Sequence, residues 1–285
     1  MSASNNCVVR PARGWCPRTV LTISFVLPCR AQSYPDKIHH VRPALVEILV
    51  SGRRNGTGFC VSPDGDIITA THNVGAVAMN NAAITIKYET DLRVRFEDGR
   101  EASAEPVVSQ SPEAPFHDIS LLKVGIKTPH FLQLGIPSQL KEGNEIYTMG
   151  FPSGVPSPTA VTYRGYISAI FPIVVGERNR RAIQSSTIIV QLPVSKGFSG
   201  APLIDMSDDA VIGMISDRVG GINKSLDEIQ RLILRDEGHP TSPSADPNSI
   251  SVSLINVLSA GISDGSAWAV SIEYAKPLLN DVATK

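Results

Sequence analysis

In the stretch VSKGFSGAPLID, from Val194 to Asp205, a serine stands between two glycines and shortly before a proline. Glycine-flanked serines are usually turn residues, because glycine supplies uncommon backbone angles and serine hydrogen-bonds locally. The other reading makes Ser199 a nucleophile. That chemistry needs a base to take the hydroxyl proton, a third group to orient the base, and N–H donors for the oxyanion that forms.

The chain has six histidines from which a base could come. His39, His40, His130 and His239 fall in entrance, connector or loop segments and read as solvated residues, while His117 immediately precedes Asp118. His72, in ITATHNV, directly follows a strand-like run, where small residues release the chain into a turn. In HDISLLKVG, Asp118 begins a strand whose following residues are strongly apolar, so its carboxylate is expected at the edge of a core. Buried there it would cost several kcal/mol without a hydrogen-bond partner, and a histidine N–H would satisfy it. The competing reading is an aspartate that bonds its own backbone at a strand start.

The segments that must position these residues are short strands. LVEILVSG alternates, with Val46, Ile48 and Val50 on one side, and GFCVSPDGDIITA is two apolar runs joined by a Pro63-Asp64-Gly65 hairpin signal. Further strand-like runs are AAITIKY, LRVRFEDG, ISLLKVG, EIYTMGF, YISAIFPIVV, STIIVQLPV, APLIDM, AVIGMISDRV and AWAVSIE. Many short strands punctuated by Gly, Pro, Asn and Asp predict an all-β fold of barrels or a sandwich. HFLQLGIPSQLKEGNE divides them into two sets, which suits two small barrels in tandem. One segment breaks the rhythm: in NKSLDEIQRLILRDEG, Ser225 and Glu228 form a capping box, and Leu226, Ile229, Leu232 and Ile233 recur at helical spacing. The amphipathic helix predicted there is followed by a Pro/Ser-rich loop, HPTSPSADPNS, and is expected to seal apolar surface. A short C-terminal helix is predicted with Tyr274, Leu278, Leu279 and Val282 on its inner face.

With 285 residues, 42% hydrophobic and 19% charged, the chain can bury a sizeable core, and a net charge of -1 gives no case for nucleic acid or anionic membrane. The first thirty residues carry Arg10, Arg13, Arg18 and Arg30, no acidic residue, and the short apolar run TVLTISFVLPCRA. That layout predicts a signal peptide over 1–31, cleaved after Ala31, and a secreted or periplasmic protein; organelle import is the alternative. The run is too short to span a bilayer. Cys7, Cys16 and Cys29 would leave with it, and Cys60 would remain alone as a small buried hydrophobe.

His72, Asp118 and Ser199 come in the order found in chymotrypsin, distinct from the order in subtilisin and in the α/β-hydrolases. From about Val41 onward the chain resembles the trypsin-like serine proteases, and among them the high-temperature-requirement (Do-like) branch. The residues that carry the resemblance are GTGFCVSPDGDIITATHNV, HDISLLKV, EIYTMGFPSG, TYRGYISAI, VSKGFSGAPLID and AWAVSIEYAKPLL, in that order. It implies two perpendicular six-stranded antiparallel β-barrels with a site in the cleft between them. An N-terminal barrel over 32–130 would carry His72 and Asp118, and a C-terminal barrel over 131–285 would carry Ser199, with the helix and loop as an insertion over 221–265. The roles implied are general base and acid for His72, orientation for Asp118 and nucleophilic attack for Ser199. The backbone N–H groups of Gly197 and Ser199 would form the oxyanion hole.

The resemblance also implies a pocket for the residue before the scissile bond, lined by Leu192, Pro193 and Val194 and by Met214, Ile215 and Ser216. None is a carboxylate, so small or medium apolar side chains are expected there. The pattern departs from the family at several points. Phe198 stands where zymogen-activated members have an aspartate, Ala201 stands where glycine is common, and Asn73 follows His72. The chain is not expected to carry the PDZ domain of many Do-like proteins. The expected function is a serine endopeptidase acting on polypeptides, in quality control or processing, with no cofactor and no metal; homo-oligomerisation is left open. A protease fold that only binds is the alternative. An esterase is a weaker one, since GFSGA lacks the final glycine of a nucleophile elbow.

Overall fold

Short alternating strands bury a core either between two packed sheets or by closing on themselves, and in this chain they close twice. The computed structural model describes residues 33–80, 83–109, 116–153, 159–175, 183–218 and 265–283. Its first strands are β1 (Leu45–Val50), β2 (Arg53–Cys60), β3 (Asp66–Ala70), β4 (Gly75–Asn80), β5 (Ala83–Tyr88), β6 (Leu92–Phe96), β7 (Glu101–Val107) and β8 (Ile119–Val124). Six of them close a barrel in the order β1-β2-β3-β8-β7-β6, and β4 pairs with β5 in a separate two-stranded sheet. The second barrel is built from β9 (Glu145–Gly150), β10 (Val161–Val175), β11 (Ile183–Gln191), β12 (Pro202–Asp205), β13 (Val211–Arg218) and β14 (Ser266–Ser271), in the order β10-β11-β14-β13-β12-β9. Every barrel pairing is antiparallel.

One apolar cluster fills the first barrel and runs on through Tyr147, Met149, Phe151, Val211 and Met214 of the second, while a smaller one, with Ile167, Val190, Leu203 and Ile215, lines the second barrel. The barrels therefore meet across packed side chains. A polar exception is Glu47, buried on β1, whose carboxylate is held by Arg54 and by Arg95. A buried carboxylate is tolerable only when paired in this way.

Among the described residues, two short α-helices frame the barrels. α1 (Tyr34–Val41) was not anticipated from sequence: YPDKIHHV is short, and its two histidines and a proline mask the amphipathic face. It lies against the second barrel, where Lys37 bonds Asp209 at 2.8 Å, Tyr34 meets the Tyr147 ring edge-on at 5.8 Å, and Arg164 sits over Tyr34 at 5.5 Å. Tyr147 also donates to Asp209, at 2.9 Å, and burial followed by that bond pushes its phenol far up from the ordinary range. α2 (Lys276–Ala283) is the C-terminal helix predicted from sequence, with Leu278 buried and Leu279 and Tyr274 packed against the larger cluster. The predicted signal peptide and the predicted helix with its Pro/Ser loop lie outside the described residues, as does the side chain of Val282.

The strand reading omitted β4 and β7. GAVAMN has little alternation, and EASAEPV carries two glutamates and a proline, yet β7 pairs with both β6 and β8. Cys60 is buried and free, as expected, and burial pushes its thiol up to about 12. No helix among the described residues is long and apolar enough to cross a membrane.

Candidate active site

The site begins where β3 ends. Ala70 is still extended, and Thr71, His72 and Asn73 then form one short helical turn that carries the His72 side chain out of the sheet and leaves it half exposed. Asp118 sits just before β8, the neighbour of β3, and has a left-handed backbone with φ of 52°. That conformation is uncommon for a residue other than glycine, although aspartate tolerates it better than most. It is held by its surroundings. The Asp118 carbonyl accepts from Thr71 N–H at 3.0 Å, and the preceding His117 is buried and stacked on Tyr274, with centroids 3.8 Å apart and planes 6° from parallel. His117 Nδ1 also lies 3.2 Å from Ser185 Oγ of β11.

The Asp118 carboxylate faces His72 twice. One oxygen accepts the His72 backbone N–H at 3.1 Å, and Nδ1 of the ring lies 3.0 and 2.9 Å from the two oxygens. An ionised carboxylate only accepts, so Nδ1 carries the proton and Nε2 of the neutral ring is left as the base. A further donor comes from the second barrel: Ser216 Oγ reaches Asp118 Oδ2 at 2.5 Å.

Ser216 was assigned from sequence to the substrate pocket alone. The structure gives its hydroxyl this second task, and its carbonyl accepts from Ser199 Oγ at 3.1 Å. The register between β13 and β14 shifts between Ile215 and Asp217. A bulge there leaves Ser216 out of the ladder and turns its polar groups toward the cleft. Ser216 thus joins the three residues picked out from sequence: Ser199 bonds its carbonyl, its hydroxyl bonds Asp118, and Asp118 bonds His72.

The turn that carries Ser199 is fixed on both sides of it. Gly197 has φ of 102°, and a Cβ on it would lie 2.3 Å from the Phe151 carbonyl oxygen, so neither the conformation nor the space admits a side chain. The Lys196 carbonyl accepts from Ser153 N–H at 2.8 Å. Carbonyl and N–H point opposite ways across a trans peptide, so the Gly197 N–H is directed away from Ser153. Phe198 is fully buried, 5.2 Å from the Tyr163 ring and packed against Gly150. Phe198 is therefore an apolar anchor for the turn.

Of the residues read as pocket walls, Leu192, Val194 and Ile215 are buried in the second barrel's cluster and Met214 in the larger one, whereas Pro193 is exposed. His39, His40 and His130 are exposed, as read from sequence, while His239 lies outside the described residues.

Comparison with known proteins bears on the family and the fold. A sequence profile of the trypsin-like peptidase domain matches residues 56–214. A probable periplasmic serine endoprotease, DegP-like, of Pseudomonas fluorescens is 28% identical over 156 residues, which are 55% of this chain and 28% of that protein. The protein of the same description from Halomonas elongata is 31% identical over 167 residues, 58% of this chain and 29% of its own length. The chain thus matches less than a third of the length of these relatives. Among solved structures, the HtrA-type protease AlgW with a decapeptide superposes with a TM-score of 0.57 at 17% identity, over 88% of this chain and 68% of AlgW. Rv3671c from M. tuberculosis H37Rv, as an inactive Ser343Ala mutant, superposes with a TM-score of 0.57 at 16% identity, over 90% of this chain and 94% of its own. The structural likenesses establish the double-barrel fold, and because the profile match covers more than half of the sequence, the chain belongs to the trypsin-like peptidase family.

Proposed function

We propose that the protein is a serine endopeptidase in which Ser199 attacks the scissile carbonyl, His72 Nε2 takes the hydroxyl proton, and Asp118 holds the ring and stabilises the imidazolium. The observation that carries the proposal is the Asp118 carboxylate, which receives both N–H groups of His72 from one side and the Ser216 hydroxyl from the other. A carboxylate so placed fixes one tautomer, and that tautomer presents its basic nitrogen outward. The N–H groups of Gly197 and Ser199 receive the oxyanion. The acyl-enzyme forms as the peptide C–N bond breaks, and His72 returns the proton to the leaving amine.

Polypeptides are the substrate class, in line with the description of the relatives as endoproteases. The preference expected before the cleaved bond, for a small or medium apolar residue, rests on the likeness to the family alone, because Leu192, Val194, Met214 and Ile215 are buried in the apolar clusters. A peptide-library profile dominated by Arg or Lys would overturn that preference. Residues 1–31 direct export to the periplasm or beyond, and the mass of the mature chain tests whether cleavage follows Ala31.

The decisive experiment is labelling with a fluorophosphonate. In that reaction Oγ of Ser199 bonds to phosphorus, the P–F bond breaks, fluoride leaves, and the hydroxyl proton passes to His72. Wild type is expected to label, and Ser199→Ala and His72→Ala are expected not to. A wild-type protein that stays unlabelled, beside a control protease that labels, would support a binding module instead.

A further inference from the structure

Ser199 belongs to the second barrel, whereas His72 and Asp118 belong to the first. Catalysis between barrels requires the nucleophile turn to be registered against the barrel that carries the base. Packing of apolar side chains fixes distance well and orientation less well, because dispersion is not directional. Hydrogen bonds across the boundary supply the orientation.

Two residues of the first barrel supply those bonds. Thr57, fully buried on β2, donates its backbone N–H to the Ser199 carbonyl at 2.9 Å and its hydroxyl to the Gly197 carbonyl at 2.7 Å. The same hydroxyl accepts from Phe151 N–H at 3.0 Å, next to the segment whose Ser153 holds the Lys196 carbonyl. Asn73, buried directly after His72, sends Nδ2 to the Ser199 carbonyl at 2.7 Å and to Thr69 Oγ1 at 3.1 Å. Thr69 Oγ1 in turn donates to the Thr57 carbonyl at 2.7 Å, which closes a ring. The Ser199 carbonyl can only accept, so the amide NH2 must face it and the orientation of Asn73 is determined.

The surrounding glycines leave room for these groups. A Cβ on Gly56 would fall 2.2 Å from Asn73 Nδ2, and one on Gly200, where φ is 86°, would fall 2.0 Å from the Thr57 carbonyl oxygen. Gly56 leaves room for the Asn73 amide within the first barrel, and Gly200 lets the backbone of the second barrel approach that of the first.

We propose that Thr57 and Asn73 are positioning residues: from the first barrel they hold the carbonyls of Gly197 and Ser199 and so set the attitude of the nucleophile and of the oxyanion donors relative to His72. The inference rests on the reading of Ser199 as nucleophile. Neither residue touches the reacting atoms. Asn73 couples base and nucleophile most directly, since it is the chain neighbour of one and bonds the carbonyl of the other.

The test is the kinetics of fluorophosphonate labelling, separated into the binding constant KI and the maximal rate kinact, with thermal midpoints measured in parallel. Thr57→Val keeps the shape and removes the hydroxyl; Asn73→Leu keeps the volume and removes the amide. Each is expected to lower kinact by about ten- to a hundredfold, since a shift of about 1 Å in a catalytic group can cost about a hundredfold. KI should stay unchanged, and Thr57→Ser should restore the rate to near wild type. A purely structural role would move the midpoint and leave kinact intact in the folded variant. Wild-type kinact in folded Thr57→Val and Asn73→Leu would overturn the inference, as would Thr57→Ser failing as badly as Thr57→Val. If Thr57→Val does not fold, Asn73→Leu and Thr57→Ser decide the matter. Labelling that survives in Ser199→Ala would instead overturn the assignment of the nucleophile, whatever Thr57 and Asn73 do.

Discussion

Replacing Gly197 with alanine tests the proposed oxyanion hole at its tightest point. A Cβ there would lie 2.3 Å from the Phe151 carbonyl oxygen and 2.7 Å from Ser153 N, both backbone atoms that cannot rotate away. Carbon and oxygen in close contact normally stay about 3.3 Å apart, so the turn must yield by about 1 Å. The peptide that must move is the one holding the Gly197 N–H. A displacement of that size is equivalent to losing one oxyanion donor, which lowers kcat by about a hundred- to a thousandfold. The left-handed φ of 102° adds strain for alanine, about 1–3 kcal/mol of stability. Gly99 supplies the control: its φ is 85°, but a Cβ there would meet nothing within 4 Å. Gly99→Ala should therefore lose comparable stability and keep its turnover. The assay is hydrolysis of a chromogenic peptide alongside urea unfolding. Equal kcat in Gly197→Ala and wild type would refute the reasoning, as would an equal loss of kcat in Gly99→Ala.

Two further predictions concern buried groups away from the reacting atoms. Lys37→Met leaves Asp209, only 15% exposed at its side chain, with Tyr147 as a donor but without its cation. A loss of about 3 kcal/mol in urea unfolding is expected, with more than half regained in Lys37→Met/Asp209→Asn; no change on the single substitution would show the pair to be idle. Cys60 keeps its proton up to about 12 in the folded chain, whereas an unfolded thiol ionises near 8.5. The unfolded state therefore sheds a proton first, and this contribution is complete below the unfolded value and is lost as pH rises through the window between the two. Cys60→Ala should flatten the alkaline fall in stability, and iodoacetamide at pH 8.5 should modify the Cys60 peptide only once urea has unfolded the protein; rapid modification of native protein would contradict the burial.

The proposed chemistry left more trace in the sequence than the means of holding it in place. His72 follows a strand-like run, Asp118 precedes an apolar one and Ser199 stands between glycines, all local patterns. Ser216 does not, since its role depends on a bulge that only the pairing of β13 with β14 creates. Thr57 and Asn73 were visible as GTGF and as a residue following the histidine, but their partners are backbone carbonyls more than a hundred positions away. A side chain that bonds backbone leaves no complementary residue type to notice. Among the elements, β7 was missed because charge and proline argue against a strand locally, and its place between β6 and β8 overrides them. β5 was read correctly as a strand, yet its place in a hairpin outside the barrel depends on β4, which has almost no pattern of its own.

The two terminal helices have exchanged barrels. α1 precedes the first barrel yet fastens to the second through Lys37 and Asp209, 172 positions apart. α2 follows the second yet lies in the cluster of the first, with Asp281 accepting from Ser109, also 172 positions away. During synthesis the first barrel therefore leaves the ribosome before its C-terminal cover has been made, and α1 waits for a docking surface not yet translated.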